Sequence, residues 1–179
     1  MTRPHDHVVP TADAMRALGE KVGSILTAGD VVLLVGGLGA GKTTFTQGIG
    51  RGLNVQGKIT SPTYIVARVH DALADGPDLV HVDAYRLEDE LDLETVDLDA
   101  SAEDSVTVVE WGRDRAEGLS DQRLEIEFTM AAPDPSGAGQ DVIFGDDGVD
   151  VVEPETSRLV RFIPVGKKWQ QRLWEAGLQ

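Results

Sequence analysis

The sequence predicts an α/β fold: three layers around a mainly parallel central sheet, with antiparallel strands toward the C-terminus. Two observations carry that expectation. One is the apolar run Val31-Val32-Leu33-Leu34-Val35, which leads directly into Gly36-Gly-Leu-Gly-Ala-Gly-Lys-Thr43 and then into a segment of helical spacing. The other is the series of short apolar or β-branched runs that follows, each reading as a buried strand.

The elements can be justified in order. Thr11 caps a first helix on which Met15, Leu18, Val22, Ile25 and Leu26 recur at helical spacing, with Gly29 just past its end. A strand over 31–35 follows. Beyond the Gly-rich loop, Phe45, Ile49 and Leu53 mark one face of a second helix. Gly48 and Gly52 suit close packing of that helix against the sheet, and Gly57 ends the unit. Tyr64 to Val69, Leu79 to Asp83 and Val106 to Glu110 read as strands, and Arg123 to Thr129 alternates, with Leu124, Ile126 and Phe128 on one face. Residues 131–156 are rich in Gly, Pro and Asp and read as an inserted mobile acidic loop or loose hairpin. Arg158 to Pro164 returns to strand character. Lys167 to Ala176 is a short closing helix carrying Trp169, Leu173 and Trp174, and its two tryptophans read as core packing or as interface anchors. No internal repeat is visible.

A chain of 179 residues suits one domain over 1–179, long enough to bury roughly 70% of its unfolded surface. With no cysteine, disulfides and thiolate metal sites are excluded, which fits a reducing compartment. The first residues lack a basic head followed by an apolar stretch, and no run approaches a membrane span, so a cytoplasmic protein with no membrane contact is expected. Formal net charge is -15, from 31 acidic against 16 basic side chains. Between Asp71 and Asp104 there are 13 carboxylates and only Arg86 as a base. That balance disfavours autonomous binding to a nucleic-acid backbone, whose affinity comes from Lys and Arg displacing counterions. The acidic stretch reads as a solvated face or as a docking surface for a basic partner.

The Gly-rich segment has the pattern G-x-x-x-x-G-K-[ST]. Successive backbone N–H groups can wrap a phosphate only where no Cβ blocks the approach and positive φ is affordable. The helix that follows adds its unpaired N–H groups and its dipole. Gly36, Gly39, Ala40, Gly41, Lys42, Thr43 and Thr44 are therefore the candidate triphosphate site. In that chemistry Lys42 reaches the β- and γ-phosphates and the Thr43 hydroxyl ligates Mg²⁺.

Two strands end in acids. Val106-Thr-Val-Val-Glu110-Trp111 places Glu110 at the carboxyl edge of the sheet, as a metal-site carboxylate or else as an edge glutamate paired with a surface Lys or Arg. His81-Val-Asp83-Ala-Tyr-Arg86 does the same for Asp83, so two carboxylates compete for the metal and base roles. Asp83 either orients the attacking water, with Arg86 compensating charge, or pairs with Arg86 to fasten a turn. Alternation puts His81 on the same side as Asp83, as a packing or hydrogen-bonding residue rather than a ligand. Thr60-Ser61-Pro62-Thr63 lies where a switch segment that senses the γ-phosphate sits, and is otherwise an ordinary turn.

The conjunction of Gly36 to Thr44, Ser61-Pro-Thr-Tyr64, His81-Val-Asp-Ala-Tyr-Arg86 and Val109-Glu-Trp111 resembles the TsaE (formerly YjeE) family over roughly residues 8–130. The resemblance implies a P-loop ATPase using ATP and Mg²⁺. It also implies that TsaB and TsaD are its partners, and that its ATP cycle resets the complex that carries threonylcarbamoyl to adenosine 37 of tRNA. tRNA would then be met only through that complex. On the same ground Mg²⁺ falls to Thr43 and Glu110, and the catalytic roles to Asp83 and Lys42. Arg158 would line the nucleotide, and Thr11, beside Pro10, the adenine. The chain departs from the family in having Gly37 where Asp is usual and in lacking a glycine near position 96. Two other classes share the motif. A small-molecule kinase usually needs an Arg-rich lid, and 131–156 holds no Arg or Lys. A regulatory GTPase needs an [NT]-K-x-D segment, which does not occur. A third reading is a module that uses ATP only to set its shape.

Overall fold

The computed structural model describes residues 5–62, 66–86, 103–113, 116–130 and 157–178. Expectations for Thr63 and Tyr64, the side chain of Arg86, most of the acidic stretch and the 131–156 insertion lie outside these residues. In chain order the elements are β1 (His5–Val9), α1 (Ala12–Gly23), β2 (Val31–Gly36), α2 (Lys42–Gly52), β3 (Ala67–His70), β4 (Asp78–Asp83), β5 (Ser105–Glu110), β6 (Arg123–Met130), β7 (Arg158–Val165) and α3 (Lys167–Glu175). Short 3₁₀ turns follow at Ala84–Arg86 and Glu117–Leu119.

The strands make one sheet in the order β1-β7-β6-β2-β5-β4-β3. β2, β4, β5 and β6 form its parallel centre. β7 is antiparallel to β6, as the C-terminal expectation has it, but β3 and β1 are antiparallel edge strands as well. Val32, Leu33 and Leu34 are completely buried, each worth roughly 1.5–3 kcal/mol of transfer free energy. Alternation splits the centre into two cores. Val32, Leu34, Val106, Val108, Leu124 and Ile126 join the helices on one face, while Val31, Leu33, Val80, Val82 and Val109 form a smaller cluster on the other.

Helix α1 starts as expected. Thr11 is extended (φ -134°) and its Oγ1 accepts from Ala14 N at 3.1 Å. It ends earlier than the apolar spacing suggests, at Gly23. Ile25 and Leu26 continue in turns, and Asp30 rather than a longer helix organises the approach to β2. The Asp30 side chain is fully buried, accepting from Thr27 N at 2.8 Å and Lys168 Nζ at 2.6 Å and also pairing with Arg172. It therefore fastens α3 to the base of β2.

Gly48 and Gly52 serve a different contact from the one expected. They meet α1, not the sheet. A Cβ on Gly48 would lie 2.1 Å from Arg16 O, and one on Gly52 2.3 Å from Glu20 O. From the facing side, a Cβ on Gly19 would lie 2.2 Å from Phe45 O and one on Gly23 2.4 Å from Ile49 O. The two backbones touch through four glycines. In α3, Trp169 is buried and its Nε1 donates to Gln122 O at 3.3 Å, whereas Trp174 is 71% exposed. Helical period explains the split: 169 and 173 share the inner face, and 174 turns away.

Two stability predictions arise here. Gly48→Ala gains about 1 kcal/mol of helix propensity, but the helices must separate to admit the methyl, an overpacking cost of about 3 kcal/mol or more. Urea denaturation should show a net loss near 2 kcal/mol. Asp30→Ala strips two cations of a buried partner and should cost about 2–3 kcal/mol by the same measurement, moderated because Lys168 is partly solvated.

Candidate nucleotide site

The loop between β2 and α2 turns on two glycines in the left-handed region, Gly39 (φ 73°) and Gly41 (φ 105°). Gly41 caps α2 and brings no side-chain acceptor to its first N–H groups. These groups therefore face a cleft of about 330 Å³ with nothing from their own cap to satisfy them. Leu38, Lys42, Thr43, Ser61, Asp83 and Glu110 are among its walls.

The register of β4 on β5 brings the two acids together. Asp83 pairs in register with Glu110, and His81 with Val108, so all four side chains leave the same face, the one that carries α2. Glu110 is buried, and Thr43 Oγ1 donates to its carboxylate, 2.9 Å from Oε1 and 3.1 Å from Oε2. The Oε1 atom also lies 2.8 Å from His81 Nε2. An ionised carboxylate only accepts, so the ring is protonated at Nε2 there. His81 is a hydrogen-bonding residue, as expected, and what it holds is Glu110. Glu110 itself is not an edge glutamate paired with a surface cation. Asp83 is engaged twice: Oδ2 accepts from Ser61 Oγ at 3.0 Å and Oδ1 from Tyr85 N at 2.9 Å. It thus fastens the turn at Ala84–Arg86 through backbone and simultaneously ties the switch-like segment to β4.

Lys42 Nζ donates to Gly36 O at 2.8 Å and Gly37 O at 2.9 Å, closing the loop on itself. The same ammonium lies 3.8 Å from the centroid of the Trp111 ring, a cation–π contact. Burial lowers the Lys42 pKa, opposed by the charges of Glu110 and Asp83. Trp111 reaches this position because its backbone takes φ 62°, a conformation costing a non-glycine residue about 1–3 kcal/mol. Its N–H is held by Leu34 O at 2.9 Å. The role of Trp111 over Lys42 was not anticipated; the one sequence signal was an aromatic placed directly after Glu110.

The remaining candidates lie around the same loop. Arg158 Nη2 is 3.4 Å from Gly39 O, reaching across from β7. Thr11 caps α1, and Met15 from the first turn packs against Gly41. Gly36 fits closely under Phe128, Ala40 is buried, and Thr44 borders the cleft. At Gly37 a Cβ would meet nothing within 4 Å, so the absence of a side chain there is a chemical difference and not a packing requirement.

Comparison with known proteins is consistent across sequence and structure. The family model described as threonylcarbamoyl adenosine biosynthesis protein TsaE matches residues 9–135. The chain belongs to the TsaE family. A Streptomyces coelicolor protein named tRNA threonylcarbamoyladenosine biosynthesis protein TsaE is 55% identical over 121 residues, 67% of this chain and 82% of that one. Its namesake in Bacillus subtilis is 37% identical, over 66% of this chain and 73% of the relative. The crystal structure of Bacillus subtilis YdiB superposes with a TM-score of 0.70 at 26% identity, covering 99% of this chain and 96% of that chain. The TsaE match includes the phosphate loop, Ser61, Asp83 and Glu110 and ends before Arg158, which rests on its geometry alone.

His81→Leu leaves the buried Glu110 carboxylate with Thr43 as its main support. If Glu110 is the Mg²⁺ carboxylate expected from the sequence, loss of this orienting hydrogen bond should weaken that site by about 10–100-fold. Mg²⁺ titrations in the presence of nucleotide should show that loss, while His81→Gln, which keeps a donor, should lose less.

Proposed function

We propose that this chain binds MgATP at the β2–α2 loop and hydrolyses it in the service of tRNA threonylcarbamoylation, in association with TsaB- and TsaD-type subunits. The observation that carries the reading is the contact of Thr43 with Glu110 beside the uncapped start of α2: one hydroxyl and one buried carboxylate, both hard oxygen donors, next to a phosphate-shaped loop. Such a donor set suits Mg²⁺, which takes its other ligands from phosphate and water. Bound there, the ion would neutralise charge on the phosphate oxygens.

The protein's own groups do the rest. The α2 N–H groups and the backbone of Gly39 to Gly41 receive the phosphates. Lys42, held by two carbonyls and the Trp111 face, transfers its donors to the β- and γ-oxygens. Asp83 accepts a proton from the attacking water, with Ser61 bringing the switch-like segment to the same carboxylate. Thr11 and Arg158 flank the nucleotide at the open end. No helix among the described residues is long and apolar enough to cross a membrane. A cytoplasmic location, where tRNA is modified, goes with this reading, and residues 1–179 act as one ATPase domain.

A second reading has one observation in its favour. Both Asp83 oxygens already hold structural hydrogen bonds, as suits a module that uses ATP to set its shape and turns over negligibly. Variants separate the two. Lys42→Ala should lose about 10- to 150-fold in ATP affinity by calorimetry, the equivalent of a charge-assisted hydrogen bond. Asp83→Asn should retain ATP affinity but, with TsaB and TsaD present, hydrolyse about 10²–10⁴ times more slowly. Wild-type turnover in Asp83→Asn would overturn its role as base. The association with TsaB and TsaD is nucleotide-dependent in this reading, and equal recovery of the pair in pull-downs with ATP, ADP and no nucleotide would overturn that dependence.

A further inference from the structure

A second cavity, of about 480 Å³, opens between α1, α2 and the segment after Val55. Its walls include Arg16, Arg51 and Lys58 and, among the described residues, no carboxylate. In a chain of net charge -15 that is a local reversal of sign. Elsewhere five of the described cations are ion-paired: Arg113 with Glu127, Arg161 with Asp6 and Glu127, Arg123 with Glu125, and Lys168 and Arg172 with Asp30. In the groove only Arg16 has an ion pair, with the outward Asp13, while Arg51 and Lys58 are exposed and have no partner among the described residues.

The groove is built rather than incidental. Arg16 Nε donates to Gln47 Oε1 at 3.1 Å, and Gln47 Nε2 donates to Ile59 O at 3.1 Å, so one glutamine joins both helices to the rim. Two residues beyond Ile59, Ser61 holds Asp83 in the nucleotide cleft. The same backbone segment therefore borders both cavities.

We infer that this cationic groove docks an acidic segment of a partner protein. Arg51 and Lys58, beside the already paired Arg16, match a few carboxylates at short range, with Arg51 able to bind one bidentately. An RNA backbone is a poorer fit. It needs many phosphate contacts for affinity, and the chain's overall negative field opposes its approach. A nucleotide-dependent position of Ser61 would move the rim, giving the partner a way to read the site.

The inference rests on the association with TsaB and TsaD proposed above, and the experiment keeps the two apart. Binding of the purified TsaB–TsaD pair is titrated in ATP at two salt concentrations with wild type, Arg51→Glu/Lys58→Glu and the milder Arg51→Gln/Lys58→Gln. ATP affinity and thermal midpoint are measured alongside as controls, and binding of an oligouridylate probe is titrated with the same three proteins. Both residues lie outside the nucleotide cleft, so ATP affinity should be unchanged. The charge-reversed variant should bind the pair at least about tenfold more weakly and with less salt dependence, and the neutral variant should fall between. Equal binding by all three proteins overturns the groove assignment and leaves the partnership standing. Failure of wild type to bind the pair overturns the partnership, and this docking assignment with it. Loss of oligouridylate binding in the charge-reversed variant, with binding of the pair intact, assigns the groove to RNA and overturns the protein partner.

Discussion

The backbone contact between α1 and α2 is the constraint on which the rest of the molecule depends. Four glycines let the two helices approach until a single added methyl would lie about 2 Å from a carbonyl oxygen of the other helix. At that distance α2 can neither rotate nor slide without breaking the contact, because interiors are close-packed and shape-specific. Its first residues are Lys42 and Thr43, so the helix pair fixes where the ammonium and the hydroxyl stand relative to the sheet. The same pair sets Arg16 beside Gln47 and thereby forms one wall of the cationic groove. Phosphate loop and groove are two ends of one packing decision.

The sheet supplies the other half of the site. Parallel pairing of β4 and β5 puts Asp83 opposite Glu110, and both reach the edge toward which the β2–α2 loop projects. Buried carboxylates so close to one another are tolerable because each is hydrogen-bonded: Glu110 by Thr43 and His81, Asp83 by Ser61 and the backbone of Tyr85. Lys42 lies in the field of both, and that attraction offsets part of the desolvation that burial imposes on it. Trp111 completes the arrangement by covering the ammonium with a ring face rather than with a third anion.

Much of this could be read directly. The phosphate loop, its strand and its helix are a local pattern in which glycine, lysine and threonine have chemical reasons to stand where they do. The alternation of β4 placed His81 and Asp83 on one side, and the apolar run of β5 ended in the acid that meets Thr43. Other features carry no local signal. β1 is polar, with His5, Asp6 and His7 at an edge, and is a strand only because β7 offers it a ladder. Helical spacing through Leu26 overshot the end of α1, because Asp30 captures the connecting turn from a distance. Gly48 and Gly52 declared close packing without naming the partner, and the nearest element proved to be a helix.

The sequence by itself determined the fold class, the Gly-rich turn between β2 and α2 and the acids that end β4 and β5, since each follows from short-range geometry and residue chemistry. Only the tertiary structure decided what each polar group holds. His81 supports Glu110, Ser61 ties the switch-like segment to Asp83, Trp111 folds over Lys42, and three cations from α1, α2 and the following segment converge on one groove. These contacts join residues remote along the chain, and their partners are set by register and helix packing, neither of which has a local period to betray it.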